Sequence, residues 1–548
     1  MSKVKILDCT LRDGGYVNEW NFGKQTIKGI TENLANAGVD IIEMGFLTDK
    51  SHSEDDSLFT TTSEMKKVTA HKGNSMVAGM IALGEKETDA EKLDPASKTG
   101  VDIIRITFHN DIAEIAKAIS FAHTLMGKGY RVCMQPVGTT TYTDEELVYL
   151  IKKMNELKPY AFYLVDTLGT LYKDKLMHFV KLIDSNLDKG IKLGFHSHNN
   201  LQMSYSNAQL IVEHDSDREF ILDSSLYGMG RGAGNLNTEL IARFINEYEG
   251  KNRYNLVPVL DSIDNHIYPL SLRYSWGYNA HYYMSAIHNC HPNYAAYLMN
   301  MQTLTMNEVN LILQNLPQES RAVFNKALIE KLYINYQKSS DTKVQKDSIG
   351  SMKGKEVLVL APGQSVKTHK KQILDYVKKH KPLVFAVNVD AGDIPTDYVF
   401  ISNKKRLLSF DYDKSKAKII ITSNLPKLSD KFTCVDYESL CDERFEQPDN
   451  AGMMLLRLLA SKGCKEAKLA GFDGFRVDAD NYVTKSTIAS RYSIKNTQEK
   501  NKNACKQIVD ISKTMPIEFL TPSIYKDMID GKETPSNIWF RWDTCWHI

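Results

Sequence analysis

The segment Lys5-Ile6-Leu7-Asp8-Cys9-Thr10-Leu11-Arg12-Asp13-Gly14 decides how this chain folds. A short apolar run, Val4 to Leu11, ends in the charged pair Arg12-Asp13 and then in two glycines. Runs of this length bounded by glycine read as buried strands. A second run, Ile191 to Phe195, ends in His196-Ser197-His198. In a strand, residues two apart share a side. His196 and His198 can therefore aim two imidazoles at one point. An Asp brought alongside completes a His/His/carboxylate set with open coordination positions, which reads as an enzyme.

The same kind of run recurs eight times before residue 230. The predicted strands are Lys5–Leu11, Asp40–Phe46, Met76–Ile81, Asp102–Phe108, Arg131–Val137, Ala161–Thr167, Lys192–His198 and Glu219–Tyr227. Segments able to hold a helix separate them, and Gly-Val-Asp-Ile-Ile occurs at both 38–42 and 100–104. Eight strands alternating with helices in so short a span predict a closed (β/α)8 TIM barrel over residues 1–240, with an open doubly wound sheet as the alternative. Such barrels carry their chemistry at the C-terminal strand ends. There the sequence places Arg12, Asp13, Glu43, His109, Gln135, Asp166, Thr167, His196 and His198, and a loop running from Gly228 to Asn235.

In a closed barrel the first and seventh strands flank the eighth, so Asp13, His196 and His198 can converge on a divalent ion: Mn²⁺ or Mg²⁺, with Zn²⁺ as a third option. Asn235 offers an amide oxygen as a fourth ligand; alternatively it caps the next helix. Arg12 stays charged and can stabilise an enolate oxygen, or pair with Glu43, or both.

Composition sets the wider frame. A chain of 548 residues predicts two or three domains. A formal net charge of +1 gives no electrostatic argument for nucleic acid or a membrane surface. No apolar run approaches about 18 residues, and the N-terminus lacks a signal-peptide pattern. Eight scattered cysteines make no C-x-x-C pair. A cytoplasmic protein is expected. Residues 241–337 read as a helical extension packing on the barrel, 338–354 as a linker, and 355–548 as a second, Rossmann-like α/β domain.

Asp8-Cys-Thr-Leu-Arg-Asp-Gly14, Glu43-Met-Gly-Phe46, His196-Ser-His198 and Gly232-Ala-Gly-Asn235 together resemble the DRE-TIM metallolyase superfamily, and most of all its 4-hydroxy-2-oxovalerate aldolase branch. The resemblance implies aldol cleavage or condensation of a pyruvate-like 2-oxo acid with an aldehyde on a divalent metal. It also implies a homo-oligomer, and a tyrosine from the helical extension near the substrate; Tyr282 matches best, with Tyr278 and Tyr283 as rivals. Glu43, Gln135 and Thr167 are candidate substrate contacts. The aldolases carry a histidine three residues after the metal Asp, where this chain has Tyr16. The base is therefore open, with Tyr16, His109 and Tyr282 as candidates and His52 and His281 as substitutes.

In the second domain, Leu358-Val-Leu-Ala-Pro-Gly-Gln-Ser365 reads as a strand, a glycine turn and a helix start. With Gly471-Phe-Asp473 and Thr521-Pro-Ser-Ile-Tyr525 it faintly resembles DUF115 and sialyltransferase-like domains. Gly363, Ser365 and Asp473 are candidate contacts for a phosphate or a nucleotide-linked ligand. The fusion implies a biosynthetic role, such as handling a sugar acid for surface polysaccharide. Two other functions fit the sequence: a Claisen-type acyl-CoA/2-oxo acid synthase, and a nucleotide-sugar-binding or transferring protein.

Overall fold

Residues 4–49, 52–69, 71–339, 349–389, 391–476 and 494–532 are described by a computed structural model. The chain divides into two compact units, Met1–Tyr297 with Leu313–Lys326, and Leu298–Ile312 with Ala327–Ile548. The expected helical extension, 241–337, is thus shared between units: Leu298–Ile312 and the helix Lys326–Lys338 group chiefly with the second. Lys338 ends that helix, and Met352 lies in the second core, so the expected linker is narrower than 338–354. Its residues 340–348 lie outside the described ones.

The first unit holds strands β1 (Val4–Asp8), β2 (Ile41–Leu47), β3 (Leu58–Phe59), β4 (Met76–Ala82), β5 (Ile103–Phe108), β6 (Arg131–Pro136), β7 (Ala161–Asp166), β8 (Lys192–Ser197) and β9 (Phe220–Ser224). Each barrel strand pairs in parallel with its neighbours, and a β1–β2 pairing closes the ring; β3 is a short addition beside β2. This is the (β/α)8 barrel. Its strands are buried on both faces, as in β2, where all seven residues are buried. β1 stops at Asp8, earlier than the apolar pattern predicts. Arg12 and Asp13 both donate backbone N–H to Cys9 O, which turns the chain into a loop. Outer helices pack by amphipathic spacing: Asp144–Leu157 starts with a Thr143/Glu146 capping box and buries Leu147, Leu150, Ile151, Met154 and Leu157.

The alternation inside the barrel sets up the site. Leu7, Ile41, Ile103, Cys133 and Ile221 belong to one interior apolar cluster. Two residues further along their strands, β2, β5, β6 and β9 present Glu43, Arg105, Gln135 and Asp223 to the same side. These four are all buried. An apolar floor is therefore overlaid by a charged layer just below the C-terminal rim.

The second unit is an open, all-parallel seven-stranded sheet: β10 (Glu356–Leu360), β11 (Leu383–Val387), β12 (Tyr398–Ile401), β13 (Lys418–Thr422), β14 (Thr433–Val435), β15 (Glu466–Ala470) and β16 (Ile517–Phe519). The order is β14-β13-β12-β11-β10-β15-β16. β14 and β16 are three residues each, too short a run to carry an alternation in the sequence. Among the described residues, no helix is long and apolar enough to cross a membrane.

Candidate metal centre

The turn after β1 and the end of β8 bring Asp13, His196 and His198 together. One donor atom from each lies within 4.8 Å of the others, and all three residues are buried. His196 holds Asp223 through Nδ1 at 2.9 Å, which leaves Nε2 as its other donor atom. A carboxylate behind a histidine fixes tautomer and ring orientation, as metal sites require. Burial keeps His198 neutral, lowering it to about 3 against the opposing pull of Asp13. Burial would raise Asp13, but Arg12, His198, His196 and Arg231 outweigh it and hold the carboxylate well below its usual range. A neutral His198 imidazole and an ionised Asp13 carboxylate are the protonation states a divalent cation needs.

The donor set fits a cation in a second respect. His198 Nδ1 and Asn235 Oδ1 are buried without a hydrogen-bond partner among the described residues. Asn235 Nδ2 donates to Asp13 Oδ2 at 2.8 Å, and Asn235 bridges His198 through its backbone. It does not cap the following helix, whose N-cap position is Asn237. The loop approaches so closely that a Cβ on Gly230 would lie 2.3 Å from Asn235 Nδ2 and 2.7 Å from Asp13 Oδ2. Only glycine fits there.

A chain of buried charges supports the triad. Arg12 donates through Nη1 to Asp13 at 2.6 Å and through Nε to Glu43 Oε2 at 2.9 Å. Arg105 donates to the same Glu43 oxygen at 2.7 Å and also to Asp223. Asp223 holds His196, which returns the chain to the centre. Arg12 Nη2 is left buried and without a partner among the described residues. Gln135, with its amide oriented to satisfy both groups, accepts from Arg105.

Residues 3–264 match the family model described as HMGL-like. The barrel is an HMGL-like domain of the DRE-TIM metallolyase superfamily. Over 269 residues it is 26% identical to the 4-hydroxy-2-oxovalerate aldolase of Bacillus cereus, covering 49% of this chain and 76% of that one. The 4-hydroxy-2-oxovalerate aldolase of Chloroflexus aurantiacus is 28% identical over 268 residues, 48% of this chain and 73% of that one. Among solved structures, the N-terminal domain of a proposed aldolase from Bacteroides vulgatus aligns at a TM-score of 0.45 and 25% identity, covering 55% of this chain and 98% of that one. At family level the HMGL-like domain is a metal-dependent, lyase-type enzyme.

The other expected site residues distribute unevenly around the HMGL-like centre. Tyr16 packs on Trp20 and Phe46 at centroid distances of 4.8 and 6.1 Å, and Trp20 Nε1 donates to Arg12 O at 2.8 Å. Burial and the neighbouring Glu85 push the Tyr16 phenol above its ordinary range, so it stays protonated and acts as a donor. His109 is on the rim, half exposed, with Nδ1 on Glu114 at 3.1 Å. His52 is held by Leu58 O, and His281 by Asn279 at the start of its own helix. Thr167 accepts from Gly138 N–H at 2.8 Å and fixes a loop. Tyr282 is close enough to Arg231 for the guanidinium to oppose the rise that burial imposes on its phenol.

Two residues at the centre were not singled out from sequence. Arg231 reaches toward His198 Nε2 and His291 Nε2, both at 3.4 Å, and lies 5.4 Å from the Tyr16 ring centre. Its Nε is buried without a partner among the described residues. His291, from the helical extension, is buried and held neutral by burial and by Arg231. Its Nδ1 lies 3.2 Å from Asn293 N and its Nε2 3.4 Å from Arg231, and a neutral ring accepts at one of these two nitrogens only. Arg231 stands in a glycine-rich loop and His291 in an irregular helical stretch, so neither carries a strand-phase signal.

In the second unit the candidate turn is already satisfied. Asp473 accepts from the Ser365 N–H at 2.8 Å and from its hydroxyl. Thr521 joins the same cluster, 2.8 Å from Ser365 Oγ, and accepts from Gly471 N–H. A phosphate on the Ser365 amide would have to displace the Asp473 carboxylate.

Proposed function

We propose that the HMGL-like domain is a divalent-metal-dependent aldolase, making or breaking the carbon–carbon bond between a pyruvate-like 2-oxo acid and an aldehyde in a biosynthetic, cytoplasmic setting. The observation that carries this reading is the unpaired, buried Nη2 of Arg12 beside the Asp13/His196/His198 set. Asp13, His196 and His198 would hold Mn²⁺ or Mg²⁺, with Asn235 able to add an amide oxygen. The ion would supply Lewis acidity toward the 2-oxo acid.

The chain's own residues do the rest. Glu43 and Asp13 fix two edges of the Arg12 guanidinium, and the third faces the negative charge that develops on the enolate oxygen. Glu43 holds Arg12, and Gln135 holds Arg105, beneath the substrate position. We assign proton transfer at the aldehyde oxygen to Tyr282. In condensation its protonated phenol donates to the new hydroxyl, with Arg231 stabilising the phenolate left behind; in cleavage the phenolate takes that proton back. The rival candidates suit the role less: Tyr16 is tied to Glu85, and His109 to Glu114 on the rim.

The test is pyruvate release from a panel of 4-hydroxy-2-oxo acids with added Mn²⁺ or Mg²⁺, coupled to lactate dehydrogenase. Turnover that vanishes in Asp13→Ala and in Tyr282→Phe supports the assignment. Thiol release from acetyl-CoA with a 2-oxo acid, and no pyruvate from any adduct, would replace it with a Claisen-type synthase.

A further inference from the structure

The sheet of the second unit reverses direction at β10. From there the chain steps to β11, β12, β13 and β14 on one side, then returns to β15 and β16 on the other. In open parallel sheets, ligands bind outside the carboxyl ends of the strands at such a switch point. An open cleft of about 180 Å³ lies there. Its lining includes Gly363 after β10, Asn388 after β11, Asp473 after β15, and Lys500. The backbones after β10 and β15 approach so closely that a Cβ on Gly363 would sit 2.3 Å from Gly471 O, and one on Gly471 2.0 Å from Ala361 O. The chain keeps side chains out of this crossing.

Two features of the lining ask for a ligand. Asn388 adopts a left-handed backbone, φ 60°, and its N–H is committed to Phe400 O at 2.8 Å. Its Oδ1 is buried with no hydrogen-bond partner among the described residues. A buried acceptor of this kind is costly unless something donates to it. Lys500 is also buried; its Nζ donates to Asn300 O at 3.1 Å and lies 5.4 Å from the Phe475 ring centre. Burial lowers its ammonium to about 7, so a bound anion would restore the charged form. The carboxylates of the lining are engaged within the unit: Asp473 by Ser365, and Asp449 by the hydroxyls of Tyr333 and Tyr437. Among the described residues, Lys500 and Arg406 are the cations of the lining.

We infer that this cleft binds a hydroxyl- or amine-bearing organic phosphate, whose donor meets Asn388 Oδ1 and whose anion meets Lys500. A free nucleotide and a sugar phosphate share that chemistry, and the experiment separates them. Full-length protein is titrated calorimetrically with inorganic phosphate, glucose 1-phosphate, and AMP, GMP, CMP and UMP. The variants are Asn388→Gly, which suits the left-handed backbone and removes the acceptor, and Lys500→Met, which removes the cation. Lys500→Gln stands in for Lys500→Met if the latter melts early.

At least one organic phosphate is expected to bind wild type at millimolar concentration or below. Asn388→Gly should weaken it roughly tenfold, and the Lys500 variant by at least as much, as for loss of one buried hydrogen bond or ion contact. Inorganic phosphate should respond to the Lys500 variant and not to Asn388→Gly. The inference is overturned if no organic phosphate binds folded wild type, or if binding is unchanged in both folded variants.

Discussion

Asp223 Oδ2 accepts from His196 Nδ1 at 2.9 Å, and a guanidinium N–H of Arg105 shares the same oxygen. One carboxylate thus orients a metal-site imidazole and neutralises a fully buried arginine, while its Oδ1 has no partner among the described residues. The charge of Arg105 is in turn balanced by Glu43, which anchors Arg12. Asp223→Asn keeps the shape and removes the charge. Metal affinity should fall about 10–100-fold, because the histidine is no longer held by an anion. The barrel should lose stability as well, up to about 3–5 kcal/mol, since removing one partner of a buried charge pair leaves the other uncompensated. Mn²⁺ titration and urea melts read the two effects separately. Wild-type affinity in folded Asp223→Asn would mean that the Asp223 charge does not tune the imidazole.

Arg12 separates metal binding from catalysis. Arg12→Lys retains a cation near Asp13 and Glu43 but loses the planar fork and its unpaired Nη2. Turnover should fall roughly 10²–10³-fold, the scale of losing one preorganised oxyanion donor. Affinity for Mn²⁺ should stay within a few-fold of wild type. If metal binding and turnover collapse together, the main task of Arg12 is to hold Asp13.

The sequence made the barrel and the triad legible for one reason. Buried parallel strands are near-continuous apolar runs, so the polar residues that end them stand out. Asp13, His196 and His198 each end such a run. The charged layer beneath them was legible only in part. Arg105 in Ile103-Ile-Arg-Ile106 and Asp223 in Phe220-Ile-Leu-Asp223 are charges inside apolar strands, in phase with interior Ile103 and Ile221. That phase is the signal the sequence carries for this layer, and it lies within the strands rather than at their ends. Arg231 and His291 come from segments without a period, and only tertiary packing brings them to the centre. Ser365 fits the sequence pattern of a phosphate turn, but a carboxylate from 108 residues away occupies its N–H.

Arg231 points to the substrate's other half. Its guanidinium faces two neutral imidazoles at 3.4 Å, and its buried Nε has no partner among the described residues. A guanidinium so placed is well suited to carboxylate or phosphate. The expected result is that 4-hydroxy-2-oxo acids bearing a second anionic group on the aldehyde half show a KM about tenfold or more below that of 4-hydroxy-2-oxopentanoate. Arg231→Gln should erase most of that difference. Equal KM values for neutral and anionic adducts in wild type would remove Arg231 from substrate selection.

Asp8 gives the barrel a pH signature of its own. The carboxyl is fully buried, accepting from Thr10 N–H and, at 2.6 Å, from the Thr238 hydroxyl. Burial raises it to about 6 in spite of these bonds. A carboxyl raised on folding stabilises the native state fully below the unfolded value near 3.8, and loses that contribution as pH climbs through about 6. The size is roughly 3 kcal/mol at most for this group. His198 and His291, both lowered by burial, act in the opposite sense. Their contribution is present above the unfolded histidine range and lost as pH falls through it. The net stability curve therefore hides the effect of Asp8, and the difference from Asp8→Asn reveals it. In metal-free protein, Asp8→Asn should gain stability relative to wild type as pH rises from 4 to 7, with the change centred between about 4 and 6. Thermal melts across that range provide the measurement. A difference that is flat with pH would show that Asp8 titrates alike in the folded and unfolded chain.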